Sequence, residues 1–404
     1  MHFCMVTTFY PPYHFGGDAI FVQALARALV SEGHHVEVVH CEDAYRLRGR
    51  EEVVGQAEYD GVVVHRLRNP FGMISPLVTH QTGRPGVKAR QLRNLLERCF
   101  DVINFHNISL IGGPGVLQMS QAPVTLYTLH EHWLLCPMHI FWKNRQRACD
   151  SPQCIRCCIR SRVPPQLWRF TGLIERSLTN VDAILAPSEY TAERHKALGK
   201  ATSIHVLPTF SRFTSTLKGN TNPQERIWFL YVGRVTASKG IVTLLREFTG
   251  IREYNLLVAG DGDLLVTLRR QYAKYHHIQF LGSLSQEQLK PLYQKATALI
   301  HPSLAPEVFP LTILEALAHG TPVIVHHAGG NREAVDKTGG GMVYTSSEEF
   351  HHALTKIAKD SQFRETLGRR AWDGYQKFYS QKQYLGRYLQ LIQDIGKKKG
   401  VFSP

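Results

Sequence analysis

Two glutamates, Glu307 and Glu315, are separated by seven residues in the run Pro306-Glu307-Val308-Phe309-Pro310-Leu311-Thr312-Ile313-Leu314-Glu315. The piece from Leu311 to His319 reads as a short helix, opened by Pro310 and ended by Gly320-Thr321-Pro322. The first amides of such a helix have no partner inside it and suit the phosphates of a ligand. Glu315 can then accept both hydroxyls of a ribose, while Glu307, in the loop ahead, faces whatever group a diphosphate carries. Two cations precede them: Arg234 ends the strand Tyr231-Val232-Gly233-Arg234, and Lys239 follows in Ser238-Lys239-Gly240. A guanidinium fork and an ammonium point charge together can clamp a diphosphate. Each alone would read as a solvated surface cation.

Glycines mark further strand ends. Gly260-Asp261-Gly262 closes one strand and Phe280-Leu281-Gly282 the next, leaving room for a flat base or making ordinary tight turns. Nearer the start, Gly16-Gly17 joins the first strand to the first helix, where paired glycines let amides approach an anion.

The elements that must hold these residues alternate between strand-length apolar runs and helix-length amphipathic segments, the pattern of a parallel sheet covered by helices. Strands are expected at Phe3–Thr7, Val36–His40, Val62–Leu67, Val102–His106, Val124–His130, Ala183–Ala186 and Ile204–Leu207. A Ser, Thr, Asn, Gly and Lys-rich stretch from Thr209 to Pro223 reads as a linker. A second series follows at Ile227–Val232, Asn255–Ala259, Ile278–Leu281, Ala298–His301 and Val323–His326. The expected architecture is α/β, with two Rossmann-like, doubly wound parallel-sheet lobes and a ligand cleft between them. The first lobe spans 1–210, with a cysteine-rich insertion at about 136–165, and the second spans 211–380. A helix within 381–404 is expected to cross back toward the first lobe.

Taken in order, these motifs resemble the signature P-E-x-F-P-L-x-x-x-E-A-L-A-x-G-x-P-V-I of the large fourth family of retaining glycosyltransferases, which have the GT-B fold. The resemblance runs over nearly the whole chain, is strongest from Ile227 to Val343, and includes Gly33-His34-His35-Val36 leading into the second strand. It implies transfer of a sugar from a UDP- or GDP-linked donor to a growing glycan, a glycolipid or a small natural product. By the same resemblance the first lobe binds the acceptor and the second the nucleotide sugar, Glu307 contacts the donor sugar, Glu315 holds the ribose, and Arg234 with Lys239 neutralises the diphosphate in place of a metal ion. No cofactor is then required for catalysis. The remaining donor-binding positions implied are Gly16, Gly17, Gly233, Gly260, Asp261, Gly262, Leu281, Phe309, Pro310, Leu311 and Thr312. His130, in Thr128-Leu129-His130-Glu131, resembles the family's histidine facing the sugar. The chain departs from the pattern at Leu207-Pro208-Thr209-Phe210, where relatives often carry Asn-Gly-Val-Asp.

Composition bounds the rest. The 404 residues are 43% hydrophobic and 20% charged, which excludes a disordered chain. No apolar run reaches the roughly 18 residues of a membrane-spanning helix, and the start reads directly as a strand, so a cytoplasmic protein is expected. The net charge of +14 suits phosphate-bearing ligands or the anionic inner face of a membrane, with peripheral contact there. Nucleic acid is disfavoured, because no RNA-module or helix-turn-helix signature is present. Of eight cysteines, Cys136, Cys149, Cys154, Cys157 and Cys158 fall in one basic segment. The first four could form a structural zinc site, or an iron–sulfur site, although their spacing matches no strict signature. Two competing readings are a GT-B epimerase or phosphorylase, and a non-enzymatic basic metal-bearing protein that binds nucleic acid or membrane.

Overall fold

The computed structural model describes residues 1–47, 59–200, 202–213 and 227–402. They divide into two compact units. The first takes in Met1–His139, Gln153–Pro208 and Tyr384–Pro404, and the second Ile140–Pro152 and Thr209–Gln383. The cysteine-bearing segment is thus split: Ile140–Pro152 is grouped with the second unit, not with the chain that flanks it. Most of the expected linker lies outside the described residues.

In the first unit, β1 (His2–Val6), β2 (His35–Cys41), β3 (Val63–Leu67), β4 (Val102–Phe105) and β5 (Val124–Thr128) are followed by a small hairpin, β6 (Trp142–Lys143) and β7 (Arg147–Ala148), which belongs to the second unit. β8 (Ala183–Ala186) and β9 (Ser203–Val206) complete the first sheet, in the order β3-β2-β1-β4-β5-β8-β9 with every neighbour parallel. A parallel sheet is covered on both faces, so its central strands read as unbroken apolar runs. Phe3, Cys4, Met5 and Val6 are all wholly buried, with Phe3 opposite Val36 on one side and Val102 on the other. The helix Gly17–Ser31 covers this sheet and ends at Glu32-Gly33, where Gly33 takes the left-handed conformation.

The second sheet has six strands, one more than the apolar runs predict. They are β10 (Trp228–Val232), β11 (Asn255–Ala259), β12 (Ile278–Gly282), β13 (Ala298–His301), β14 (Val323–His326) and β15 (Gly341–Tyr344), in the parallel order β12-β11-β10-β13-β14-β15. Successive residues of a strand point to opposite faces. Phe229 and Tyr231 accordingly meet Leu244, Phe248 and Leu354, whereas Leu230 joins Ile313, Leu314 and Leu317 on the other side.

From Tyr384 onward the terminal helix Gln381–Lys398 belongs to the first unit. Asn104 Nδ2 donates to the Tyr388 hydroxyl at 3.0 Å, Arg387 donates to the Val206 carbonyl at 2.7 Å, and Lys399 pairs with Asp182 at 2.9 Å.

Candidate active site

In an open parallel sheet, ligands bind beyond the strand C-termini where the strand order reverses, because the loops there part in opposite directions. In the second unit that point lies between β10 and β13. β10 leads to Gly233, Arg234 and Lys239, and β13 to Ser303 and Glu307. Gly240 explains how the two loops meet. Its φ is +70°, and a Cβ there would fall 1.9 Å from the Pro302 carbonyl oxygen, so only glycine allows the approach. Lys239 Nζ thereby reaches Glu307 Oε1 at 2.6 Å.

The same carboxylate oxygen accepts a hydrogen bond from Ser303 Oγ, and His301 Nε2 lies 4.0 Å away. Burial works against ionisation of Glu307, but the Lys239 ammonium and the hydrogen bonds outweigh it and hold the carboxyl down at about 2. Burial dominates at His301, pushing its imidazole down to about 4, so it is neutral at pH 7. Lys239, expected on a diphosphate, is therefore paired with the very glutamate expected on the sugar. Arg234 is exposed on the same loop, and its charge and that of Glu307 both act on the buried Tyr231 phenol.

The glycine-marked strand ends pack on one another. Gly260 donates its amide to the Gly282 carbonyl at 2.7 Å, and at its φ of +141° a Cβ would fall 1.9 Å from the Gly233 oxygen. Gly262 and the exposed Asp261 close the same turn through a 2.7 Å bond from the Gly262 amide to Asp261 Oδ1. These glycines serve close backbone approach first. Leu281 stays half-buried beside them.

Glu315 lies on the helix Leu311–Ala318, opened by Pro310 without any side-chain cap. The first amides, at Leu311 and Thr312, are unspent by the helix itself, and Phe309 leads into them. Glu315 is buried, and both its oxygens already have partners: Tyr293 donates to Oε2 at 2.7 Å, and Arg212 Nε lies 3.2 Å from Oε1. Burial raises the carboxyl above its usual range, with Arg212 as the chief opposing charge. Arg212, Tyr293 and Ser303 escape the sequence reading. Arg212 and Tyr293 lie far from Glu315 along the chain and only the fold joins them, whereas Ser303, four residues before Glu307, lies in a segment without a motif.

The remaining expected residues belong to the first unit. Gly16 and Gly17 open the helix Gly17–Ser31, but Asp18 occupies its first turn, held by Asn107 Nδ2 at 3.1 Å, so the helix start already faces a carboxylate. His130 follows β5 and meets His106, which follows β4, at 2.9 Å between Nε2 and Nδ1. Burial depresses both imidazoles, although Asp18 and Glu131 partly offset it at His130.

Of the cysteines expected as a thiolate set, Cys136 and Cys154 both act on the buried Arg169 guanidinium. Among the described residues no group of three or more His, Cys, Asp or Glu side chains is placed to hold a metal ion. Cys154 and Cys157 share the helix Cys154–Arg160, Cys136 precedes β6, and Cys149 lies in the segment that belongs to the second unit.

Comparison with known proteins bears on the family and the fold. The Glycosyltransferase Family 4 description matches residues 15–210, and Glycosyl transferases group 1 matches residues 213–373. An uncharacterized glycosyltransferase of Methanocaldococcus jannaschii is 27% identical over 94% of both chains. Among solved structures, sucrose-phosphate synthase from Thermosynechococcus elongatus is similar, with a TM-score of 0.73 at 20% identity over 98% of this chain and 99% of that one. Anabaena HepE in complex with UDP-glucose gives a TM-score of 0.62 at 17% identity over 99% and 98%. Two consecutive family matches covering both units, on two Rossmann-like sheets, show that the chain belongs to the family 4 glycosyltransferases with the GT-B fold.

Proposed function

We propose that this glycosyltransferase moves a sugar from a UDP- or GDP-linked donor to a hydroxyl of a glycan, glycolipid or natural product, with retention at the anomeric carbon and without a catalytic metal. The observation that carries the reading is the Lys239–Glu307 pair at the switch point of the second sheet, beside an uncapped helix start. The UDP-glucose bound by the similar Anabaena protein supports a nucleotide-sugar donor.

The chemistry follows from charge. As the anomeric C–O bond breaks, negative charge grows on the diphosphate and positive charge on the sugar ring. Arg234, Lys239 and the amides of Leu311 and Thr312 stabilise the first, and the Glu307 carboxylate the second. Glu315, held by Tyr293 and Arg212, orients the ribose. The glycine turns at Gly233 and Gly260–Gly262, with Leu281, border the base. By the family resemblance Gly16 and Gly17 are donor-binding, and His130 takes the sugar-facing role.

Thermal-shift titration with nucleoside diphosphates and their sugar conjugates tests the donor class, since a ligand that binds only the folded state raises the melting temperature. One base is expected to stabilise, and proton NMR of the product is expected to show the donor's anomeric configuration kept. No stabilisation by any nucleotide, or an inverted product, overturns the reading.

A further inference from the structure

The helix Ile74–Thr82 in the first unit is inside out. Its buried face carries Ser75, Pro76 and Thr79, and the first and last of these bind the wholly buried Lys88 ammonium at 3.0 and 2.9 Å. Its outward face carries Ile74 and Leu77, with Phe71 just ahead of it. Water alone would select the reverse pattern.

A second apolar group lies beside it. The turn Leu167–Phe170 packs against this helix, with Trp168 Nε1 donating to the His80 carbonyl at 2.8 Å. Arg169 spreads over the Trp133 and Trp168 rings at 5.0 and 4.8 Å and adjoins the Cys154 and Cys158 thiols, tying in the helix Cys154–Arg160. That helix buries Cys157 and Cys158 and turns Ile159 outward. Phe71, Ile74, Ile159, Leu167 and Phe170 are each between 58% and 68% exposed, so three elements on one Trp133–Trp168–Arg169 platform present bulky apolar tips to solvent.

Charge says what covers them. From Gly61 to Leu96 and from Ser151 to Ile174 the chain has no Asp or Glu. Arg84, Arg156, Arg160 and Arg162 are all exposed in these stretches. Exposed apolar tips carried on stretches that hold exposed arginines and no acidic residue match a bilayer surface, where acyl chains take the tips and anionic headgroups take the guanidiniums. A second copy would bring the same arginines face to face. Nucleic acid would leave the isoleucine and leucine tips in water.

We propose that this face of the first unit docks on anionic phospholipid membranes. The inference is independent of the donor assignment. The test sediments the full chain with vesicles of phosphatidylcholine alone and of equimolar phosphatidylcholine and phosphatidylglycerol, at low salt and at about 0.5 M salt, where surface charge is strongly screened. Expected are retention on the anionic vesicles only and release by salt. The Ile74→Ser/Phe170→Ser and Arg156→Gln/Arg160→Gln variants should each bind at least tenfold more weakly, with unchanged melting temperature and sugar-nucleotide turnover. Failure to bind anionic vesicles overturns the proposal, as does wild-type binding by both variants. So does a concentration-dependent dimer, or RNA binding, that the same substitutions abolish while vesicle binding persists.

Discussion

His106 Nδ1 lies 2.9 Å from His130 Nε2, and the two rings stack at 5.1 Å in the first unit. The other nitrogen of His106 faces Met5 Sδ at 3.4 Å. A thioether can only accept, so Nε2 of the neutral His106 carries the hydrogen and Nδ1 is a lone pair. His130 must then donate from Nε2, which leaves its own Nδ1 as an acceptor for a hydroxyl.

Replacing His106 by leucine frees the His130 tautomer. Turnover is expected to fall about threefold to tenfold, the worth of one oriented neutral hydrogen bond, with little change in donor KM. Nitrogen-15 NMR of labelled histidine should show His130 protonated on Nε2 in the native protein and mixed in His106→Leu. A single unchanged tautomer in the variant would show that Met5 and His106 do not set it.

The Lys239–Glu307 pair makes a prediction of opposite sign for binding and catalysis. Since Glu307 neutralises Lys239 across 2.6 Å, removing its charge frees the ammonium for phosphate. Glu307→Gln should therefore bind the bare nucleoside diphosphate about threefold to tenfold more tightly, a fraction of the Coulomb energy of such a pair at intermediate dielectric. Its transfer rate should drop by about 100-fold or more, as for loss of a preorganised charge. Isothermal titration and initial rates separate the two, and weaker diphosphate binding would remove Glu307 from the clamp.

Arg212 acts on Glu315. Burial already raises the Glu315 carboxyl, and Arg212 is the main charge holding it back. In Arg212→Met the carboxyl rises further, so at pH 6 more of it is protonated and unable to accept two hydroxyl hydrogens. Donor KM should rise about tenfold at that pH and recover toward pH 8.5, while the wild type varies less over the same range. A pH-independent defect would mean that Arg212 touches the donor itself.

How much of this was legible along the chain follows from how each feature is encoded. Strands such as Phe3–Val6 and Ala298–His301 show as apolar runs because both faces of a parallel sheet are covered. β15, the half-buried edge strand Gly341–Tyr344, and the two-residue strands Trp142–Lys143 and Arg147–Ala148 give no such run. The helix Ile74–Thr82 hides because its polar face is the buried one. Lys239, Glu307 and Glu315 stand out by local spacing. Tyr293 and Arg212, like His106 beside His130, are joined to their partners only by the fold, and Ser303, four residues before Glu307, carries no motif of its own.

Buried neutral histidines set the acid limit of the fold. Burial pushes His80, His195 and His301 down to about 4, from an ordinary value near 6.5. The unfolded chain takes up these protons as pH falls through 6.5, whereas the folded chain refuses them until about 4. Stability conferred by the neutral rings is therefore whole above pH 6.5 and is lost progressively between 6.5 and 4. Glu307 contributes in a lower window: its carboxyl is held at about 2 in the fold, so its share is whole above the ordinary value of 4.5 and is lost as pH falls from there toward 2. Each unit of separation corresponds to about 1.4 kcal/mol, so the melting temperature should begin to fall below pH 6.5, ahead of general carboxylate protonation. Differential scanning calorimetry from pH 8 to pH 4 reads this directly. A melting temperature that stays level down to pH 4.5 would mean that these rings are protonated inside the fold, and that their charge is met by groups other than those packed around them here.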